Sequence, residues 1–134
     1  MRRDLVILAC AISAGIHGAL APAHFAENTR GGIGFIAATA LLAAAAAAIT
    51  LRPQSLLALR AAGTVLGGLL VSYVLATTTG VPVLHPEPEP VDALALATKT
   101  VEAVGLLVIV ASCLQLKGTL RWTGRGPSAP FQSH

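Results

Sequence analysis

The chain has 134 residues, of which 54% are hydrophobic and 11% are charged, and its formal net charge is +3. Soluble domains carry about 25% charged residues, so this composition excludes an ordinary soluble domain, and the length leaves room for only one domain. The basic residues lie at the ends of apolar stretches and are not clustered with aromatic residues. We therefore expect no nucleic-acid partner.

Four apolar stretches follow one another along the chain, and each is long enough to cross a bilayer. A membrane helix needs about 20 predominantly apolar residues. The stretches predict an all-α fold, an antiparallel bundle of four transmembrane helices with short loops. Residues 1–116 form this domain, and the Gly- and Pro-containing segment 117–134 is predicted to be a polar, flexible cytoplasmic tail. The predicted helices span about residues 4–23, 31–51, 60–80 and 92–116.

The first stretch has a second interpretation, as a secretory signal. A basic start, an apolar segment and the small-x-small pattern Ala19-Leu20-Ala21 are typical of one. Pro22 would directly follow the cut, which disfavours cleavage. We therefore expect the stretch to be retained as the first helix, which Pro22 either kinks or ends.

The loop charges predict how the bundle is oriented. Cytoplasmic flanks of membrane helices are enriched in Lys and Arg. One side of the predicted bundle carries only Arg30 and Lys99. We therefore predict a multi-pass protein of the plasma (inner) membrane with both termini in the cytoplasm and with His24 and His85 in outward-facing loops. The basic residues on the other, cytoplasmic side are Arg2, Arg3, Arg52, Arg60, Lys117, Arg121 and Arg125.

One polar residue from each helix falls at the same depth. His17, Thr39, Tyr73 and Glu102 each lie thirteen to fifteen residues from the basic boundary of their helix, which corresponds to about 20–22 Å of helical rise. Leaving such groups in lipid is costly, so they tend to face the bundle interior and pair. We predict that His17 and Glu102 approach each other with Tyr73 nearby, and that Lys99, three residues before Glu102, adjoins this polar layer.

The histidines admit three interpretations. His17 and His24 are seven residues apart and share a helix face, and together with Glu102 and His85 they form a set that suits a Cu or Zn ion. The same groups could also serve as hydrogen-bonded contacts between helices, which is the ordinary role of such residues, or as a proton or ion relay. The sequence leaves these alternatives open.

The third stretch contains Gly63-x-x-x-Gly67, a spacing that lets two helices approach closely. Such glycines serve either contacts within one bundle or the contact between two copies. We expect packing within the bundle, and we keep Gly63 and Gly67 as the candidate dimer contact.

No catalytic motif such as GxSxG, HExxH or a P-loop is present. We therefore expect a non-enzymatic membrane component with a His/Glu pocket in the outer half of the bundle, which binds a metal or supports a larger membrane complex. The alternative is a homodimeric transporter or proton-linked channel that uses Glu102. The expected partners are the lipid bilayer and either a second copy or a larger complex.

Four segments resemble an uncharacterised family of small four-helix membrane proteins from high-GC actinobacteria. Residues 16–27, IHGALAPAHFAE, are similar to the pattern I-H-x-x-x-A-P-x-H-F-x-E. Residues 32–38, 73–82 and 98–102 are similar to the segments G-x-x-F-x-x-A-A, Y-L-x-x-x-T-T-G-x-P and T-x-x-x-E of the same family.

The resemblance implies an integral membrane protein with His17, His24 and Glu102 at the family's polar positions, and it implies no established activity. The chain departs from the pattern at Ala23, where the family carries a carboxylate.

Overall fold

The structure is a computed structural model that describes residues 2–81, 88 and 90–123, with only the backbone described for residues 116–123. Within these residues all regular secondary structure is helical, and four helices are long and apolar enough to cross a membrane. The predicted all-α bundle of four membrane-spanning helices is therefore confirmed. The helices are α1 (Arg2–Glu27), α2 (Thr29–Leu51), α3 (Leu56–Thr78) and α4 (Ala93–Thr123).

The helices form a ring in which each one packs on its neighbours in the chain and α4 packs on α1. The Arg2 side chain donates a hydrogen bond to the Gln115 side chain, so the start of α1 lies beside the C-terminal part of α4. Pro53 and Gln54, between α2 and α3, line a surface depression together with Arg2. We call this end of the bundle, with Arg2, Arg3 and Arg52, the arginine end, and the opposite end the pocket end.

The first helix continues through Pro22 to Glu27, four residues beyond its predicted end. A proline inside a membrane helix removes one backbone hydrogen bond and is tolerated where neighbouring helices support the segment. Here α2 gives that support, because a Cβ placed on Gly18 would lie only 3.4 Å from Cγ2 of Thr39. The prediction that His24 lies in a loop was therefore wrong: it lies in the last turn of α1.

A single residue, Asn28, separates α1 from α2. Its side chain caps α2 by accepting a hydrogen bond from the backbone N–H of Arg30 at 3.0 Å, as Asn commonly does at helix starts. The Phe25 ring covers Gly32 so closely that a Cβ there would lie 2.2 Å from Cγ of the ring. Any side chain at position 32 would therefore require the Phe25 ring, which is partly exposed, to move.

The third helix begins four residues earlier than predicted because Ser55 caps it, accepting a hydrogen bond from the Ala58 N–H at 3.2 Å. The helix ends at Thr78, and Gly80 follows with φ 71°, a left-handed conformation that glycine adopts easily after a helix.

The fourth helix is preceded by Asp92, whose carboxylate accepts a hydrogen bond from the Ala95 N–H at 2.7 Å. The helix extends to Thr123, so the first seven residues of the predicted tail are helical. The rest of that tail, residues 124–134, and His85 lie outside the described residues.

The half of the bundle nearer the arginine end contains the hydrophobic core and a close contact between three helices. A Cβ on Gly105 would lie 2.9 Å from Cβ of Ala9 and 3.1 Å from Cδ1 of Leu66. Gly63 and Gly67 also face α4 of the same chain, because a Cβ on Gly63 would lie 3.4 Å from an Ile109 methyl carbon. The glycine pair therefore packs within the bundle. The core of this half consists of Val6, Cys10, Ala14, Leu42, Ala45, Ile49, Ala58, Leu59, Ala62, Leu66 and Ile109.

Candidate functional site

Glu102 lies fully buried in α4, and both of its carboxylate oxygens have partners. Lys99, one helical turn earlier, places Nζ 2.7 Å from Oε2. The Ser13 hydroxyl of α1 donates a hydrogen bond to Oε1 at 2.6 Å. The carboxylate is thus neutralised from its own helix and tied to the first helix, as expected for an ionisable group inside a membrane bundle.

His17 approaches the same carboxylate through Ser13. Its Nδ1 lies 2.9 Å from the Ser13 carbonyl oxygen. A carbonyl can only accept, so Nδ1 carries a proton. The other ring nitrogen, Nε2, lies 4.0 Å from Oε1 of Glu102.

The predicted approach of His17 and Glu102 is confirmed, but Ser13 bridges the two side chains. The Ser13 hydroxyl lies 3.3 Å from Nδ1 of His17 while it donates to Glu102. Ser13 was not among the residues predicted from depth, although it precedes His17 by four positions and therefore lies on the same helix face.

Tyr73 and Lys99 meet beside this network. The Lys99 ammonium lies 5.6 Å from the centroid of the Tyr73 ring, within the range of a cation–π contact. The Tyr73 hydroxyl oxygen is buried and has no hydrogen-bond partner among the described residues. Thr39, the fourth predicted member of the layer, donates its hydroxyl to the Phe35 carbonyl at 2.9 Å instead.

His24 lies about two helical turns beyond His17 on α1 and contacts Phe35. Its ring stacks on Phe35 with centroids 3.6 Å apart, and the His17 ring lies 5.3 Å from the same phenyl centroid. Nδ1 of His24 lies 3.1 Å from the Leu20 carbonyl oxygen. Phe35 is thus a shared neighbour of both imidazoles, which the histidine spacing did not reveal.

The predicted metal site is not assembled by the part of the chain that the structure describes. Within it, no group of three or more His, Cys, Asp or Glu side chains could hold a metal ion. His17, His24 and Glu102 all belong to this part, and His24 contacts Phe35 instead of sharing a ligand position with the other two. His85, the remaining predicted ligand, lies outside the described residues.

A cavity of about 310 Å³ opens between the four helices at the pocket end. Its size lies at the lower limit of typical small-molecule sites. His17, His24, Tyr73 and Lys99 contribute to its wall, whereas Glu102 is fully buried behind them. Most of the remaining wall is apolar and includes Ile16, Leu20, Phe35, Leu69, Ala76 and Leu94.

The protein is thus a membrane-spanning four-helix bundle. At one end it has a largely apolar pocket with a few polar side chains in its wall. Comparison with known proteins returned no match to any family model, curated protein or solved structure. The resemblance to the actinobacterial family therefore stays a prediction, and the chemistry of the pocket rests on its own geometry.

Proposed function

We propose that the protein is a non-enzymatic, multi-pass component of the plasma membrane that binds a small ligand in the pocket between its four helices. The observation that carries this proposal is the cavity of about 310 Å³ with a largely apolar wall and a polar end formed by His17, Tyr73 and Lys99. An apolar enclosure with a few convergent polar groups is the usual form of a small-molecule site.

A purely structural role for the polar residues accounts for part of this arrangement. Ser13, His17, Lys99 and Glu102 form contacts that hold α1 against α4. Such contacts leave unexplained why a cavity remains beside them and why the Tyr73 hydroxyl is buried without a partner among the described residues. Ligand binding accounts for both.

The charge distribution supports an orientation in which the pocket faces outward. Arg2, Arg3 and Arg52 gather at one end of the bundle, whereas the pocket end carries Glu27 and Asp92. Since basic flanks are retained in the cytoplasm, we place both termini in the cytoplasm. The family resemblance supports the same class of protein, because its polar positions coincide with residues of the network and the pocket.

Filling the pocket tests the proposal. In Ala76→Leu the larger side chain projects from the pocket wall, whereas Ala61→Leu makes the same change at an exposed position of α3 outside the wall. We expect native mass spectrometry of wild-type protein, purified in lipid nanodiscs, to show a bound small molecule that A76L loses and A61L retains. Wild-type protein without any bound molecule, or equal occupancy in A76L, would contradict the proposal.

The same mass spectra also test two further proposals. A retained Cu or Zn ion would indicate a metal site that includes residues outside those described. Proteins that co-purify at fixed stoichiometry would indicate a role in a larger membrane complex.

A proton-linked transporter is the second candidate, and the buried Lys99–Glu102 pair favours it, because intramembrane ionisable groups often mark ion pathways. Since Gly63 and Gly67 pack on α4 of their own chain, a homodimer would need another contact. Transport predicts proton-coupled flux in proteoliposomes that Glu102→Gln abolishes, whereas a binding component predicts no flux in either protein.

A further inference from the structure

We infer, building on the proposed ligand-binding function, that the ligand is an uncharged, lipid-soluble carbonyl compound. Its carbonyl oxygen accepts hydrogen bonds from the Tyr73 hydroxyl and the Lys99 ammonium group, and its apolar body fills the rest of the pocket. Three features carry this inference: a buried donor without a partner, a charge balance that is already complete, and an apolar wall.

The Tyr73 hydroxyl is the unpartnered donor. Its oxygen is buried, and no described residue bonds it. Burying a hydroxyl without a hydrogen bond costs free energy, and a partner supplied by a ligand removes this cost. Tyr73 lines the pocket, so a small rotation of its side chain would bring the hydroxyl to the cavity, where a ligand supplies the missing acceptor.

Lys99 provides a second donor to the same region of the pocket. Its ammonium group has three N–H donors, and one of them faces Oε2 of Glu102 at 2.7 Å. Its Nζ lies 5.6 Å from the Tyr73 ring centroid, and both side chains belong to the pocket wall. In the proposed complex, a single acceptor atom with two lone pairs, such as a carbonyl oxygen, lies between the two donors and serves both.

The charge balance selects an uncharged ligand. Glu102 compensates Lys99. A charge on His17 would then have no counterion of its own inside the bundle, so we take the imidazole as neutral. An anionic or cationic ligand would leave one unpaired charge within the membrane-spanning part of the bundle, which is strongly unfavourable. Glu27 and Asp92 lie at the rim of the pocket, and their negative charge also disfavours the entry of an anion.

The wall selects an apolar body. Aliphatic side chains from all four helices line the pocket, together with the Phe35 ring that stacks on His24. Two kinds of lipid-soluble molecule combine such a body with a neutral carbonyl group: a quinone-type ring, and the ester region of an uncharged lipid. They share the recognition chemistry, and the experiment separates them.

The test uses the whole protein in lipid nanodiscs and four probes that share a ten-carbon chain. These are a decyl-substituted benzoquinone, didecanoylglycerol, decanoate and decylbenzene, and each is titrated while thermal unfolding is followed. We expect one or both carbonyl probes to raise the unfolding temperature, and we expect decanoate and decylbenzene to have no effect. Whichever carbonyl probe binds identifies the source of the carbonyl group.

Tyr73→Phe tests the proposed hydrogen bond. We expect about three- to tenfold weaker binding of the carbonyl probe, the loss of one neutral hydrogen bond. Without a ligand, Y73F should unfold at or above the wild-type temperature, because it removes a buried hydroxyl that no described residue bonds. Thr64→Val is the matched control: it removes a hydroxyl from an exposed position of α3 and should bind the probe like wild type.

The outcomes separate this inference from the function on which it rests. If Y73F binds the carbonyl probe as tightly as wild type, or decylbenzene binds equally well, the carbonyl inference is wrong although the pocket still binds a ligand. Preferential binding of decanoate would overturn the charge argument. If no probe binds and wild-type protein carries no molecule that A76L loses, both proposals are wrong.

Discussion

The two halves of the bundle are built from the same four helices, but one half has a closely packed core and the other encloses a cavity. Toward the arginine end, Leu42, Leu66 and Cys10 are fully buried, and Gly105 brings α4 against α1 and α3. Toward the pocket end the helices enclose a cavity beside a buried ion pair. Close packing in one half thus stabilises the bundle and allows the other half to keep an open cavity.

The difference follows from side-chain size and polarity. Membrane helices gain little from hydrophobic burial against one another, so they associate through close packing and through polar contacts. The arginine half uses close packing, as the contacts of Gly63 and Gly105 show. The pocket half uses the Ser13–Glu102 hydrogen bond and the Lys99–Glu102 ion pair. We therefore expect substitutions in the two halves to affect stability for different reasons.

The largest expected effect comes from breaking the ion pair. Glu102→Ala leaves Lys99 without its partner, and we expect a loss in the free energy of unfolding near the lower end of the about 3–5 kcal/mol seen when a buried pair loses one charge, because Lys99 keeps some exposure to the cavity. Unfolding by sodium dodecyl sulfate in mixed micelles, followed by circular dichroism, measures the loss. Glu102→Leu combined with Lys99→Leu should recover most of it. A stable E102A protein would show that the pair contributes little.

A smaller loss is expected from the apolar core. Leu66 is fully buried in the arginine half, so Leu66→Ala leaves a new cavity and should cost about 2–4 kcal/mol by the same measurement. Leu69, one turn further along α3, already lines the pocket, and Leu69→Ala only enlarges existing space. We expect its cost to be clearly smaller. Equal losses at the two positions would contradict the proposed contrast between the halves.

The smallest of the three expected effects concerns the glycines. Gly105→Ala introduces a Cβ that meets Ala9 and Leu66, and such overpacking costs about 1–3 kcal/mol. Gly68→Ala is the control, because a Cβ there meets no atom within 4 Å. That change should be neutral or stabilising by up to about 1 kcal/mol, since alanine restricts the unfolded chain. A G105A protein as stable as G68A would show that the approach at Gly105 is loose.

The depth of the polar residues could be predicted from the sequence, but their partners could not. Counting from the basic boundaries placed His17 and Glu102 in one layer, because a helix rises by a constant distance per residue. The same count placed Thr39 there, yet its hydroxyl donates within its own helix to Phe35. Depth fixes one coordinate of a side chain, whereas the rotation of each helix decides which neighbour it meets.

The positions of the helix ends also depend partly on local sequence and partly on tertiary packing. Ser55 and Gly80 mark the ends of α3 through local capping geometry, a signal that the sequence contains. The continuation of α1 through Pro22 depends instead on the packing of α2 against Gly18. That support comes from a residue 21 positions after Gly18, so inspection of the proline and its neighbours could not reveal it.

The sequence by itself determined the class of protein: four apolar stretches of bilayer length with few charges allow only helices that satisfy their own backbone hydrogen bonds. Only the tertiary structure decided that Ser13 bridges His17 and Glu102, that Phe35 contacts both histidines, and that a cavity lies beside Tyr73. Hydrophobicity is a sum over residues along the chain, whereas these contacts depend on the rotation and spacing of helices that pack from distant parts of it.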